Sequence, residues 1–417
     1  MSIPFFSIDL KFKDYWSIFS NIINPFNKKK LEKKLKEKIT TRYPNKFISL
    51  LPSGRLGFYL SLKYFFNKDD IVLFSSMSFP LYVKIALELE LKVKLVDVSE
   101  NDLNIDVNKL EREISNDKCK GLVVTHLFGN PCEIAKIKQI CNEKGIILIE
   151  DCAQSFNSQS DSIETGNFGD VGVVSTSLLK IPTTLSGGIL ITKNYKFNEY
   201  VENWCKENLN NNFIKKINLF FKIFIFILNS YPIIYSILSD KVFSFLKNYN
   251  PRIYRKILYS GMGMKEKKFD PRERPNLSKF QLSIGLSQIE RCEKMNELRR
   301  LNSKYLQDKL SKCKNIKIIN NHFKSNWNHQ YFVITIENEF QKIFKKIFDD
   351  GVHAMDENVW NCLKYDFNIL NKGEKFENTF KMDGKLLRIQ NNSFLSLKKI
   401  DYISNIIINA SEKYNKI

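Results

Sequence analysis

The feature that most constrains the fold is an apolar run that ends abruptly in two acids, within the stretch from Gly145 to Asn194. The run covers Ile146 to Ile149 and is followed at once by Glu150 and Asp151. A short run of this kind predicts a strand of a parallel sheet, buried on both faces. Open α/β sheets bind their ligands at the carboxyl ends of such strands. The sequence therefore predicts carboxylates at a ligand-binding edge.

A second apolar run in the same stretch ends in other reactive groups. Val171 to Val174 precede Ser175, and Lys180 follows in a loop of small residues. An amine, the carboxylate of Asp151 and a hydroxyl are thereby expected at one edge of one sheet. Pyridoxal 5'-phosphate (PLP) needs these three groups: a lysine for the Schiff base, an acid for the pyridine nitrogen and donors for the phosphate. In isolation, a loop lysine is more often a solvated surface residue.

The surrounding chain alternates between strand and helix patterns. Residues 70–98 and 121–151 each read as strand, loop, helix and strand, which is the βαβ arrangement of a parallel sheet. From about residue 315 onward, strand patterns again alternate with amphipathic helices. The predicted fold class is therefore α/β, with a mostly parallel central sheet flanked by helices and a smaller C-terminal α/β domain.

A helix entrance upstream offers a place for an anion. The segment "LPSGRLGFYLSLKYFF", residues 51–66, predicts a turn that runs into a helix beginning near Ser53 and Gly54. Backbone amides and the positive end of the helix dipole favour an anion there. Arg55 can add a bidentate contact to a phosphate. An ordinary N-cap would give the same local pattern.

Three motifs, in this order and spacing, resemble a known family. They are "EDCAQSFNS", "GDVGVVSTSLLK" and "GGILITKN", and the similarity resumes at "LSKFQLSIGLSQIERCEKMNELRR". They look like the DegT/DnrJ/EryC1/StrS family, the PLP-dependent sugar aminotransferases of fold type I. The resemblance implies a fold type I PLP-dependent transferase. Single motifs would carry little weight without their common order.

The resemblance implies roles for individual residues. By position, Asp151, Gln154 and Lys180 match the acid, the glutamine and the lysine that contact the cofactor in the family. Ser175 matches a phosphate ligand. Lys180 would form the covalent bond to the cofactor and Asp151 would keep the pyridine nitrogen protonated. Some members of the superfamily are dehydratases in which a histidine replaces the lysine, so the lysine here favours transamination.

Two further family positions leave choices open. Family members stack an aromatic ring on the pyridine ring, and Phe79 is the nearest positional match, with Tyr82 as the competing residue. They also carry an asparagine, shortly before the long helix, that reaches the phosphate in the neighbouring subunit. This chain has "RERPN" there, which leaves Arg272, Arg274 and Asn276 as candidates. At the phosphate-binding turn, Arg55 stands where many members have threonine.

Composition limits the other classes of function. The net charge of +20 comes mostly from lysines scattered along the chain, without a recognisable nucleic-acid-binding motif. We therefore expect a solvated lysine-rich surface and no nucleic-acid partner. Eight cysteines without a CxxC pair favour reduced thiols, and four dispersed histidines give no expectation of a metal site. His126 is expected at the ligand edge, but we assign it no catalytic role.

The chain divides into four predicted parts. Residues 1–45 form an N-terminal extension, 46–205 the large PLP-binding domain, 206–260 an apolar helical insertion, and 261–417 the linking helix with the small domain. Within the insertion, residues 213–246 are the most apolar part of the chain. We favour two helices broken at "NSYP" that bury apolar faces at a domain or subunit contact. An interfacial membrane anchor remains the alternative, and a full span is disfavoured by Lys222 and Pro232.

The sequence therefore predicts an enzyme and keeps two rivals open. By resemblance, it moves an amino group from an amino acid, with glutamate as the expected donor, to a ketosugar nucleotide for surface polysaccharide or related glycan biosynthesis. The expected form is a homodimer in the cytoplasm, and peripheral contact at the inner membrane face through residues 213–246 is the alternative to a domain or subunit contact there. The rivals are a catalytically silent, membrane-associated assembly protein with the same fold and a PLP-dependent sugar dehydratase.

Overall fold

The structure is a computed structural model that describes most of the chain. It describes residues 28–209, 268–319 and 326–414, apart from 117, 353 and 357–359, together with eight single residues in 1–27 and 210–267. The expectations for the apolar segment 213–246 fall almost entirely outside the described residues. Within the described part of the chain, none of the helices combines the length and apolar character that crossing a membrane requires.

The first part of the chain folds around a seven-stranded sheet. Its helices are α1 (Lys28–Thr40), α2 (Gly54–Phe65), α3 (Pro80–Glu88), α4 (Val107–Asn116), α5 (Ile134–Lys144) and α6 (Tyr195–Asn208). Its strands are β1 (Phe47–Leu51), β2 (Ile71–Ser75), β3 (Lys92–Val96), β4 (Cys119–Thr125), β5 (Ile147–Asp151), β8 (Val171–Ser175) and β9 (Gly188–Thr192), with a small separate hairpin of β6 (Gln159–Ser160) and β7 (Ile163–Glu164).

The large sheet has the strand order β1-β9-β8-β5-β4-β2-β3. Only β9 runs against the others, because it pairs antiparallel with both of its neighbours. Apolar side chains cover both faces of the central strands and pack against the helices. This confirms the predicted α/β fold with a mostly parallel central sheet. It also places the ends of β2, β4, β5 and β8 along one edge.

The second part begins with the long helix α7 (Lys279–Leu310). A capping box at Ser278 and Gln281 starts this helix, since each side chain satisfies a backbone amide that the first turn leaves unpaired. A four-stranded antiparallel sheet follows, in the order β10-β11-β13-β12. The remaining elements are β10 (Ile316–Ile318), β11 (Tyr331–Ile336), α8 (Phe340–Asp349), β12 (Met355–Asp356), α9 (Glu377–Met382), β13 (Leu386–Gln390) and α10 (Leu397–Tyr414).

This smaller sheet has its own apolar core. Buried side chains of α7, α8 and α10 cover it, and they include Leu306, Ile343 and Ile403. The predicted strands and helices after residue 315 are therefore present. The boundaries of the four predicted parts remain predictions.

Candidate active site

Asp151 lies at the carboxyl end of β5 and is held by two hydrogen bonds. It is only 2% exposed. Its Oδ1 accepts from the backbone amide of Ala153 at 3.0 Å, and its Oδ2 accepts from Thr125 Oγ1 at 3.2 Å. Burial raises the pKa of Asp151, although the amide of Ala153 and the positive charge of Lys180 act in the opposite direction. A cation brought next to this carboxylate would stabilise its charged form.

The entrance of α2 lies directly against the end of β8. Ser53 caps this helix, since its Oγ accepts from the amide of Leu56 at 3.2 Å. A Cβ atom on Gly54 would lie 3.3 Å from both Cα and Cβ of Ser175, and one on Gly188 would lie 2.6 Å from the carbonyl carbon of Ser53. Glycines at these positions allow the turn and the two strands to approach closely. The structure therefore brings the predicted phosphate-binding groups of Ser53, Gly54 and Ser175 together.

Lys180 lies in the loop between β8 and β9 and is half-buried. Its backbone amide donates to the carbonyl of Ser177 at 3.0 Å, which closes a turn. Its Nζ lies 5.7 Å from the centre of the Tyr331 ring. The charge of Lys180 lowers the pKa of Asp151, against the opposing and larger effect of burial. The amine and the carboxylate that sequence placed at one edge thus act on one another.

Gln154 is fixed between the sheet edge and the second part of the chain. Its Oε1 accepts from the amide of Phe128 at 3.1 Å. Its backbone carbonyl accepts from Asn328 Nδ2 at 2.8 Å. The side chain of Gln154 is buried, so its orientation is set by contacts that are distant in sequence.

Among the three residues of "RERPN" that sequence left open, Arg274 is the one near Arg55. Arg274 Nη1 donates to Ser186 Oγ at 2.6 Å. Burial and, to a smaller extent, the positive charge of Arg55 lower the pKa of Arg274 to about 10. Arg55 Nη2 lies 3.5 Å from Glu273 Oε2. Arg272 instead donates to Asn208 Oδ1 at 2.7 Å.

Asn276 has different surroundings. It lines a groove beside α1 and the end of α6. Arg274 is linked to the predicted phosphate-binding turn through Ser186, whose Oγ donates to the carbonyl of Pro52 at 3.3 Å.

The two competing aromatic residues occupy different environments. Tyr82 is buried and stacks on Phe58, with ring centres 3.9 Å apart. Burial raises the pKa of Tyr82 well above its usual value, and the charge of Asp151 raises it further. Phe79 is only partly buried, and its ring centre lies 5.1 Å from that of Tyr82 and 5.7 Å from that of Trp360. The ring of Tyr82 is thus buried against Phe58, whereas Phe79 is only partly buried.

His126 belongs to a buried hydrogen-bonded group behind the sheet edge. The amide of Cys132 lies 3.2 Å from its Nδ1, and its Nε2 lies 3.0 Å from Glu150 Oε2. Glu150 Oε2 also accepts from the amide of Gly166 at 2.8 Å. With Cys152, these side chains place three possible metal-ligand atoms within 4.8 Å of one another. The carboxylate and the ring are already hydrogen-bonded, which is typical of a structural group.

Sequence reasoning missed several groups at this edge. Thr125 orients Asp151, and its Oγ1 lies 3.1 Å from Ser78 Oγ. Gln330 Nε2 donates to the carbonyl of Leu179 at 2.7 Å, immediately before the candidate lysine. The polar run "NHQY" before an apolar strand is the only signal that could have drawn attention to residue 330.

Comparison with known families identifies the class of protein. The model of the DegT/DnrJ/EryC1/StrS aminotransferase family matches residues 22–218 and 252–407. These ranges make up most of the chain. The protein therefore belongs to the DegT/DnrJ/EryC1/StrS aminotransferase family, which confirms the resemblance seen in its motifs.

Particular relatives are similar over shorter stretches. The lipopolysaccharide biosynthesis protein RfbH of Salmonella typhimurium is 26% identical over 252 residues, which is 58% of this chain and 50% of RfbH. GDP-perosamine synthase of Escherichia coli O157:H7 is 33% identical over 97 residues, 23% of this chain and 26% of the synthase. The chain thus spans half or less of the length of these relatives.

Solved structures share the whole fold. Helicobacter pylori PseC, an aminotransferase involved in the biosynthesis of pseudoaminic acid, has a TM-score of 0.76 at 14% identity over 99% of this chain and 100% of PseC. The GDP-4-keto-6-deoxy-D-mannose-3-dehydratase of E. coli with bound hydrated PLP has a TM-score of 0.74 at 18% identity over 98% of this chain and 99% of the dehydratase. At these identities the likeness establishes the fold, and the fold type I expectation is confirmed.

Proposed function

We propose that the protein is a PLP-dependent aminotransferase that moves an amino group from an amino acid to the keto group of a nucleotide-activated sugar. Glutamate is the proposed donor, and surface polysaccharide or related glycan biosynthesis is the proposed setting. The observation that carries the proposal is a buried Asp151, oriented by two hydrogen bonds at the edge of the sheet, on which the charge of Lys180 acts.

The residues at this edge fit the cofactor. Burial raises the pKa of Asp151, and the donors and the charge of Lys180 among the described residues do not offset that burial. A protonated pyridine nitrogen would supply this partner, because an opposite charge nearby favours the ionised carboxylate. The bound cofactor supplies an electron sink for the carbon that loses its proton. Asp151 would maintain that property by keeping the ring nitrogen protonated.

Lys180 would perform two tasks in turn. It would first bind the cofactor covalently, and the incoming amino donor would then displace it. The freed amine of Lys180 would carry the proton between the donor carbon and the cofactor carbon. Lys180 is half-buried, and its charge acts on Asp151 at the same edge of the sheet.

The other predicted residues would bind and orient the cofactor. Ser53, Gly54, Arg55 and Ser175 surround the entrance of α2, where backbone amides favour a phosphate. Phe79 would contribute the ring that stacks on the pyridine, because Tyr82 is occupied by Phe58. Gln154 would contribute its amide from the end of β5.

Transamination is preferred to dehydration because of Lys180. The dehydratases of this superfamily carry histidine where this chain has lysine, and lysine can both bind the cofactor and act as the base. The proposed homodimer and the proposed cytoplasmic location, with contact at the inner membrane face through residues 213–246, are finer parts of the proposal and rest on resemblance and composition.

The test uses the purified full-length chain with PLP. We expect a yellow protein in which borohydride fixes the cofactor onto Lys180, as located by peptide mass spectrometry. Glutamate should bleach the colour, and a panel of nucleotide ketosugars should restore it for the true acceptor. Lys180→Arg should abolish the fixation, whereas Lys193→Arg, at an exposed lysine just beyond β9, should leave it intact. A colourless protein that fixes no cofactor would instead support the silent assembly protein.

A further inference from the structure

The chain enters β11 through a tightly held polar segment. Asn328 Nδ2 donates to the carbonyls of Gln154 and Phe156, at 2.8 and 3.0 Å. The next residue, His329, has a left-handed backbone with φ of 47°, and its carbonyl accepts from Asn391 Nδ2 at 2.9 Å. These contacts fix where the following side chains emerge from the second part of the chain.

Gln330 uses this fixed position to hold the loop that carries the candidate lysine. It is only 3% exposed, and its Nε2 donates to the carbonyl of Leu179 at 2.7 Å and to Tyr331 Oη at 2.9 Å. The atom of the Gln330 amide that faces the carbonyl of Leu179 must be the nitrogen, because two oxygens at this distance would repel each other. The contact fixes the backbone one residue before Lys180.

The other end of the Gln330 amide is unsatisfied. Its Oε1 is buried without a hydrogen-bond partner among the described residues. Buried acceptors of this kind are rare in native proteins and call for an explanation. A purely structural glutamine would be expected to satisfy both ends of its amide.

Tyr331 presents its ring to two cations. Lys180 Nζ lies 5.7 Å from the ring centre, and the guanidinium carbon of Arg388 lies 4.1 Å from it. Both distances lie within the range of cation–π attraction. The hydroxyl of Tyr331 accepts from Gln330, which fixes the tilt of the ring. The ring therefore lies where it attracts the amine of Lys180 in its charged form.

We propose that Gln330 and Tyr331 are positioning residues that set the location of the Lys180 amine from the second part of the chain. Gln330 holds the backbone before the lysine, and the ring of Tyr331 attracts its positive charge. This inference rests on the proposed function of Lys180. It adds that the lysine takes its orientation from residues 150 positions further along the chain, and that the ring favours the protonated state of the lysine nitrogen.

The experiment compares three variants of the full chain loaded with PLP. Tyr331→Leu removes the ring, Tyr331→Phe keeps the ring without the hydroxyl, and Gln330→Met keeps the length without the donor. The first readout is the midpoint of the pH titration of the cofactor's visible absorbance. The second is the rate at which the apo protein binds PLP covalently, followed by the same absorbance.

The expected results separate the two residues. Tyr331→Leu should move the titration midpoint to lower pH, by roughly half a unit, because losing the ring disfavours the positively charged nitrogen. Tyr331→Phe should leave the midpoint close to the wild type. Gln330→Met should slow covalent binding by up to roughly tenfold, since one hydrogen bond to the loop is lost.

Matched controls exclude a general loss of packing. Tyr305→Leu removes a tyrosine of α7 whose hydroxyl contacts Asp401, and Gln139→Met removes an exposed amide that contacts Glu143. Neither control should change the midpoint or the rate. An unchanged midpoint in a folded Tyr331→Leu protein, or an unchanged rate in Gln330→Met, would overturn the proposal. If Tyr331→Leu fails to fold, Gln330→Met still decides it, and a wild type that binds no PLP would count against the proposed function instead.

Discussion

Glu150 and Asp151 are neighbours on β5 and are both buried, but their pKa values are shifted in opposite directions. Burial works to raise the pKa of Glu150, but hydrogen bonds from His126 and from the amides of Gly166 and Gly169 outweigh it, so the pKa is lowered. Burial also works to raise the pKa of Asp151, and there the donors do not outweigh it, so the pKa is raised.

The difference shows how one strand can carry a structural acid and a ligand-facing acid at adjacent positions. Successive side chains of a strand point to opposite faces, so one carboxylate meets His126 and a loop while the other meets the ligand edge. The acid whose hydrogen bonds are satisfied stabilises the fold. The acid with fewer donors keeps the capacity to bind a cation that arrives with a ligand.

Removing the charge of Asp151 should have the largest effect. In Asp151→Asn, the pair between the carboxylate and the pyridine nitrogen is lost, and breaking a buried pair costs about 3 to 5 kcal/mol. We expect kcat/KM to fall by roughly 10²- to 10⁴-fold, with the fold intact by circular dichroism. A variant with near wild-type activity would contradict the proposed role of Asp151.

Removing the charge of Glu150 should reduce stability rather than chemistry. In Glu150→Gln, an amide NH₂ would face a backbone amide or the Nε2 proton of His126, which leaves buried donors opposed. We expect the free energy of unfolding to fall by about 1 to 3 kcal/mol in urea denaturation. Cofactor absorbance should survive under conditions where the variant is folded. Loss of cofactor binding without loss of stability would place Glu150 in the site.

Removing the donor that orients Asp151 should have a smaller effect. Thr125→Val deletes the hydrogen bond to Asp151 Oδ2, which is worth about 0.5 to 1.5 kcal/mol. We expect kcat/KM to fall by up to roughly tenfold. The control is Thr192→Val, which removes a buried hydroxyl of β9 that donates to the Asp170 carbonyl at 2.8 Å and should change stability alone. Equal losses of activity in the two variants would refute an orienting role.

The smallest expected effect is on the pH dependence of the free energy of unfolding, which should differ between the two acids. Asp151 has a folded-state pKa above its usual 3.8, so the folded state binds more protons and stability falls as pH rises through that window. Glu150 has a folded-state pKa below its usual 4.5, so its contribution is present above 4.5 and is lost as pH falls through the folded value.

Urea denaturation of the protein without cofactor, between acid and neutral pH, measures both effects. Asp151→Asn should be more stable than the wild type at neutral pH, because a buried charge has been removed. Glu150→Gln should be less stable there, with the difference shrinking toward acid pH. If both variants changed the free energy of unfolding in the same direction at neutral pH, the comparison of the two acids would be contradicted.

Sequence predicted the local parts of the candidate site well. Apolar runs that end in a carboxylate or a hydroxyl placed Asp151 and Ser175 at strand ends, and the turn at Ser53 and Gly54 was found from its helix signal. These patterns are local, because strand and helix periods are set by neighbouring residues. The roles assigned to the individual site residues remain predictions.

Sequence could not choose among residues whose partners are distant. The structure places Arg274 beside Ser186, but the choice among the three candidates for the partner subunit's phosphate remains a prediction, and Gln330 was not singled out at all. His126 and Glu150 were noticed separately, and only the fold joined them. The hydrophobic periodicity of a sequence reports only on neighbouring residues and does not predict contacts between residues that are far apart in the chain.

The sequence by itself determined the α/β class, the family and the order of the strand ends that carry reactive groups. The tertiary structure decided which of two adjacent acids is satisfied by the protein and which remains available to a ligand. The physical reason is that the state of a buried carboxylate depends on the number of donors around it. Those donors come from loops and strands that only folding brings together.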